Sequence, residues 1–273
     1  MALIQVNFVS RTLFRTVPMH VILPVDKFGS ADGPARDARP YKTLYLLHGL
    51  LGNYTDWVAG TRIQRWAEER DLAVVMPSGD NAFYVDRPES RNCYGEFIGR
   101  ELVDITRRMF PLSRRREDTF IGGLSMGGYG AIRNGLKYSD TFGSIIGLSS
   151  ALHMFEEEEQ PGIVDYDAIG LGPLDETRNS DKNPRVLIER LKASGVPLPK
   201  VYLACGEGDG LLQCNRLYRD LFRDAGFELT YYEGPGAHEW DFWDDQIRRA
   251  LDWLPLDAAA QGVNSGHVES GEG

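Results

Sequence analysis

The sequence predicts an α/β fold, a mostly parallel sheet with helices on both faces and an antiparallel pair at its N-terminal edge. Three observations predict it. Short uncharged runs rich in β-formers (TLYLL, LAVVM, TFIGGL, VYLA) recur along the chain. Stretches with apolar residues at helical spacing separate them. Two strand-like runs open the chain, close enough to pair as a hairpin. Strands covered on both faces read as continuous apolar runs, whereas a half-exposed strand alternates.

The opening strands are expected at residues 3–13 and 16–25. In the second, Met19, Val21 and Leu23 are expected to alternate with more exposed positions. A stretch rich in Gly, Pro, Ala and Asp at 29–40 breaks the pattern. The run at 43–47 is followed by a helix near 62–70, and the run at 72–76 by a helix at 96–110. In the latter, Phe97, Ile98, Leu102, Ile105 and Met109 fall at helical spacing. The strand at 119–124 leads to a helix at 129–138, and a strand at 143–148 closes that half. A strand at 201–204 precedes a helix at 211–225. Another at 228–232 precedes the last helix, 239–254.

Between 149 and 200 the alternation lapses. This stretch carries Glu156–Glu159, Pro161, Gly162, Gly170, Gly172 and Pro173, then a helix-like VLIERL. It reads either as a small cap over the carboxyl edge of the sheet or as a solvated loop with an acidic face. Residues 1–256 are accordingly one domain with a cap-like insertion at about 152–199. Residues 257–273 hold too little apolar content to pack and are expected to be a disordered tail.

The 273 residues suit one large domain, and 42% hydrophobic with 26% charged content is globular. A net charge of −10 disfavours nucleic acid, whose phosphates need a basic surface. There is no run of about 18 apolar residues to span a membrane. The N-terminus lacks the pattern of a signal peptide, which leaves the cytoplasm as the expected location. Cys93, Cys205 and Cys214 match no zinc spacing and make no complete disulfide framework. Oligomeric state stays open, a homo-oligomer included.

The strongest chemical signal is Gly123-Leu124-Ser125-Met126-Gly127, directly after a strand and before a helix. A serine on such a tight turn has an exposed hydroxyl and a strained backbone, and the flanking glycines leave room for it. The helix that follows turns its N-terminal amides toward the serine and favours negative charge there. A serine hydroxyl needs a base to take its proton. Of the five histidines, His20 and His48 come too early for the order nucleophile, acid, base. His153 precedes any good acid, and His267 lies in the tail. His238, in the loop GPGAHEW after the last strand, is the base this order selects. The acid is expected at Asp209, in CGEGDG just past a strand. Glu207 is its rival, while Asp175 and Asp181 lack a preceding strand.

A tetrahedral oxyanion needs preorganised donors. One is expected from Met126 N–H and the second from the loop His48-Gly49-Leu50-Leu51-Gly52, with Leu50 first and Leu51 next. The His48 side chain is expected to brace that loop. Trp57, Tyr84 and Trp240, with Tyr54, are expected to wall a substrate pocket.

Taken together, LLHGLLGNYTDW, VVMPSGDNAFYVD, REDTFIGGLSMGGYGA, ACGEGDGLL and GAHEWDFW resemble the esterase D group of α/β-hydrolases. Within it the sequence is most similar to the bacterial tributyrin and acetyl esterase branch, related to feruloyl (cinnamoyl) esterases. The likeness runs from about residue 6 to 253. It implies the α/β-hydrolase fold, Ser125 as nucleophile, Asp209 and His238 as its partners, and Leu50 with Met126 as oxyanion hole. S-formylglutathione hydrolases of this group carry a cysteine soon after the HGL segment; here Gly-Asn-Tyr-Thr-Asp-Trp follows. Relatives tend to have an acidic residue directly before the aspartate, where this chain has Gly208.

The expected activity is that of a serine carboxylesterase on short-chain acyl or acetyl esters, through an acyl-enzyme. No cofactor or metal is implied, and the partner is a small-molecule ester. The alternatives are a feruloyl esterase, then an S-formylglutathione hydrolase or an acyltransferase, and last a non-catalytic binding module.

Overall fold

The structure is a computed structural model that describes residues 1–26, 39–155 and 171–256. Its centre is an eight-stranded sheet. Strands β1 (Ala2–Ser10) and β2 (Arg15–Leu23) form the antiparallel hairpin, with Met19 opposite Val6. Strand β3 (Thr43–Leu47) is followed by short helices α1 (Asp56–Gly60) and α2 (Ile63–Glu68), then by β4 (Ala73–Pro77). A small hairpin, β5 (Asp86–Arg87) with β6 (Asn92–Cys93), leads into α3 (Tyr94–Glu96). After one π-type turn at Phe97–Glu101 the helix continues as α4 (Leu102–Met109).

The second half holds β7 (Thr119–Leu124), α5 (Met126–Lys137), β8 (Ser144–Leu148), α6 (Leu174–Arg178) and α7 (Pro184–Ser194). Strand β9 (Lys200–Gly206), α8 (Leu212–Asp224), β10 (Leu229–Gly234) and α9 (Trp240–Trp253) complete it. The sheet order is β1-β2-β4-β3-β7-β8-β9-β10, parallel from β4 to β10 with the hairpin at one edge. The fold class predicted from the sequence is the one observed.

Successive side chains of a strand point to opposite faces, so each central run serves two cores. Tyr45 and Leu47 of β3 join Ile121, Ile145 and Leu203 under α4, α5, α7 and α8. Leu44 and Leu46 join Phe120, Ile146 and Tyr202 under α2 and α9. Every residue of β3, β4, β7 and β8 is buried, which is why these strands show no alternation in sequence.

Two expectations meet structural facts. Helix α1 was not legible, since five residues are too few to show helical periodicity. In the stretch 152–199, the helix-like VLIERL is α7, which crosses from β8 to β9 as a parallel connection requires. It packs Leu187 and Ile188 into the core beside α5. Glu156–Glu159, the rest of 156–170 and the tail at 257–273 lie outside the described residues, as does most of the stretch at 29–40. Among the described residues, no helix is long and apolar enough to cross a membrane. Among the described residues Cys93, Cys205 and Cys214 form no disulfide.

Candidate active site

Parallel strands that share a direction gather their C-terminal loops at one edge, and the site is built there. At the end of β7 the chain turns into α5 through Ser125, whose φ of 52° and ψ of −119° are unusual for a residue with a side chain. Such a conformation costs about 1–3 kcal/mol and persists where its surroundings over-determine it. Here Ser125 N–H donates to Leu148 O (2.9 Å), while Ser125 O accepts from Tyr129 N–H and Ala151 N–H, each at 3.0 Å. The turn is so tight that a Cβ on Gly123 would run into the Gly127 backbone, and one on Gly127 into the Leu47 and His48 carbonyls. Both glycines of the motif are therefore steric requirements.

His238 lies in the loop between β10 and α9 and is exposed on one side. Its Nε2 is 3.0 Å from Ser125 Oγ and its Nδ1 is 2.9 Å from Asp209 Oδ2. Asp209 follows β9 and is 5% exposed; its Oδ1 accepts from Leu211 N–H at 2.9 Å. Burial by itself would raise the Asp209 carboxyl. The hydrogen bonds from His238 and Leu211 N–H outweigh that and hold it below the ordinary aspartate value. Glu207, the rival acid, is exposed, and Asp181 pairs instead with Arg133 and Lys137 on α5. Residues 125, 209 and 238, distant in sequence, thus form one hydrogen-bonded chain. His20, His48 and His153 lie outside it.

The loop after β3 stands over the start of α5. Leu51 N–H donates to Asn81 Oδ1 (2.8 Å) and Gly52 N–H to Gly49 O (3.2 Å). Among the described residues neither Leu50 N–H nor Met126 N–H has an acceptor. His48 is buried beneath this loop. Its Nε2 accepts from Gly79 N–H at 2.8 Å, so Nδ1 carries the proton and donates to Gly49 O at 2.7 Å. Burial lowers its pKa and keeps the ring neutral. Its expected bracing role is the one its contacts describe.

Two of the expected pocket aromatics require correction. Trp57 and Tyr84 have no exposed surface. Trp57 Nε1–H donates to Leu47 O (3.0 Å), and Tyr84 O–H donates to His48 O (3.0 Å). Both are struts under the loop, each donating to a backbone carbonyl at or just past the end of β3. Tyr54 is half-buried and turned toward the first hairpin, where its hydroxyl accepts from Gln5. Trp240 is partly exposed at the start of α9, edge-on to Trp57 and Trp243.

Sequence reading missed Ser149 and Trp243. Trp243 stands edge-on to His238 with ring centroids 4.9 Å apart, and its Nε1–H donates to Ser149 Oγ at 3.1 Å. The tryptophan was visible in GAHEWDFW, but nothing local connects it to Ser149. A separate cavity of about 1080 Å³ opens at the opposite end of the sheet. Lys42, Asp71, Asp118, Gly143 and Lys200 line it, near the starts of the parallel strands and away from Ser125. Among the described residues no three or more His, Cys, Asp or Glu side chains converge as a metal site.

Comparison with known proteins adds the following. The family model described as "Putative esterase" matches residues 10–254. The chain is 42% identical over 261 residues to an acetyl esterase of Caldicellulosiruptor saccharolyticus, covering 93% of this chain and 98% of that one. Its structure is similar to an S-formylglutathione hydrolase of Staphylococcus aureus at 34% identity and a TM-score of 0.79, covering 93% and 98% of the two chains. It is also similar to the substrate-bound fluorophosphonate-binding serine hydrolase F of Staphylococcus aureus. There the identity is 33% and the TM-score 0.81, covering 94% and 99%.

Proposed function

The chain belongs to the esterase family and is a carboxylic ester hydrolase, and from that premise we propose a serine carboxylesterase that removes acetyl and other short acyl groups. The observation that carries this reading is the unbroken line Ser125 Oγ, His238, Asp209, with links of 3.0 and 2.9 Å. His238 Nδ1–H donates to Asp209, which leaves Nε2 bare to take the Ser125 proton. Ser125 Oγ attacks the ester carbonyl while Leu50 N–H and Met126 N–H receive the developing oxyanion. His238 then gives its proton to the departing alcohol. Water attacks the acyl-enzyme with His238 again as base, releasing the acid and restoring Ser125.

Support for the acetyl preference comes from the 42% identical acetyl esterase. The similar S-formylglutathione hydrolase structure keeps a thioester in view as the second substrate class, since the same acyl transfer serves both. The stretch at about 152–199 remains our candidate for the element that selects the substrate.

The test compares p-nitrophenyl acetate, butyrate and octanoate, methyl ferulate and S-formylglutathione with wild type and Ser125→Ala. We expect wild-type turnover fastest on acetate or butyrate and at least about a thousandfold loss in Ser125→Ala. Retention of activity within about tenfold would remove Ser125 from the mechanism. Fastest turnover of S-formylglutathione or methyl ferulate would replace the substrate assignment and leave the mechanism standing.

A further inference from the structure

His238 leads into α9 from a loop whose main chain is fixed on both sides. Gly208 N–H donates to Gly236 O at 2.9 Å, Glu239 N–H to Ala237 O at 3.0 Å and Trp243 N–H to Glu239 O at 3.2 Å. The imidazole stands out from this frame, and its side chain is 38% exposed. Asp209 holds one ring nitrogen and Ser125 the other. The bond to Ser125 has to break in every turnover, because His238 takes that proton and passes it to the departing alcohol. A single bond to Asp209 then leaves the ring free to pivot. Something else must keep it in place.

We infer that Trp243 is a positioning residue for the reaction proposed above, its anchored indole holding the His238 ring in line between Asp209 and Ser125. The inference rests on the Ser125–His238–Asp209 reading. Trp243 lies on the first turn of α9, and its ring meets the imidazole at 89° with centroids 4.9 Å apart, within the range of direct aromatic contact. The indole is itself held at two further points. Its Nε1–H donates to Ser149 Oγ at 3.1 Å. Ser149 is completely buried with a φ of 46°, and its own N–H donates to Ala204 O at 2.7 Å, so this acceptor is part of the sheet's frame. Trp240 packs edge-on to Trp243 at 5.2 Å and to Trp57 at 5.9 Å, and Trp57 Nε1–H is bound to Leu47 O at the end of β3. The indole therefore cannot shift without disturbing both the hydrogen bond and the aromatic row. Only 5% of Trp243 is exposed, so it acts on His238 and not on substrate. Both proton transfers pass through Nε2, and a ring that pivots loses both.

The experiment measures kcat, KM and Tm on p-nitrophenyl acetate for Trp243→Leu, Trp243→Phe, Ser149→Ala and the Trp243→Phe, Ser149→Ala double variant. His238→Ala is measured alone and combined with Trp243→Leu. Trp243→Leu should lower kcat about ten- to hundredfold with KM within about twofold, the loss that a misplacement of about 1 Å produces. Trp243→Phe restores a ring beside His238 but lacks the N–H, and Ser149→Ala lacks its acceptor. Each should lower kcat about two- to tenfold, and since both remove one bond, the double variant should cost less than about twofold beyond the worse single. In the His238→Ala background Trp243→Leu should change the residual rate by less than about twofold, whereas a general distortion of the site would lower it again. A folded Trp243→Leu with kcat within about threefold of wild type, a loss that falls on KM, or a further loss in the His238→Ala background would overturn the inference. Losses that multiply in the double variant would overturn the role of Ser149 as anchor. Should Trp243→Leu fail to fold, Trp243→Phe and Ser149→Ala carry the test, and an unchanged kcat in both refutes it. An active His238→Ala would overturn the underlying reading, while an inactive His238→Ala beside an unaffected Trp243→Leu would overturn this inference alone.

Discussion

Replacing Asp209 by Asn changes one atom of the site, and the surrounding hydrogen bonds determine how the new side chain must sit. Asp209 Oδ1 accepts from Leu211 N–H at 2.9 Å, at the entry to α8. An amide nitrogen cannot accept a hydrogen bond, so the Asn oxygen has to take that place. Its NH2 group is then delivered to His238 Nδ1, 2.9 Å from the original Oδ2. Facing a donor, Nδ1 must give up its proton, and the ring carries it on Nε2 instead. That proton points at Ser125 Oγ, 3.0 Å away, and the imidazole can no longer act as base. In serine protease triads the same exchange costs about 10⁴ in kcat, which at about 1.36 kcal/mol per factor of ten is about 5.4 kcal/mol. Glu207→Gln alters an exposed side chain and should stay within about twofold. The assay is kcat/KM on p-nitrophenyl acetate for both variants, with Tm to confirm folding. The reasoning is refuted if Asp209→Asn keeps activity within tenfold, or if Glu207→Gln costs more.

Two further outcomes concern the struts beneath the Leu50 loop. His48 is held neutral by burial, so its folded pKa lies below the unfolded value of about 6.5. Its contribution to stability is complete above that pH and is lost as pH falls toward the folded pKa, by no more than about 1.4 kcal/mol per unit. Wild-type Tm should therefore fall more steeply between pH 7 and 5 than that of His48→Gln, which cannot titrate; parallel curves would contradict the neutral ring. Tyr84→Phe removes the donor to His48 O and should cost about 1–2 kcal/mol of stability with KM unchanged along an acyl series. A KM that varies with chain length would return Tyr84 to the pocket wall.

The sheet was legible because β3, β4, β7 and β8 are buried on both faces and their runs of apolar residues say so locally. Ser125 was legible for a similar reason. A strand turning at once into a helix leaves no space for side chains at 123 and 127, and that restriction is written within five residues. Chain order alone selected His238, and the position of Asp209 just past β9 favoured it over Glu207. Other features depend on partners brought together across the sheet. Trp57 and Tyr84 carry the size and polarity of pocket aromatics, and only the carbonyls of Leu47 and His48 make them struts. Ser149 is one serine of a Ser-Ser pair, distinguished by an indole 94 residues away. Residue type and spacing are set along the chain, so the sequence determined the strands, the tight turn and the order of the reacting groups. Which polar atom each buried side chain satisfies was decided by the sheet order, because hydrogen bonds form between atoms adjacent in space whatever their separation in sequence.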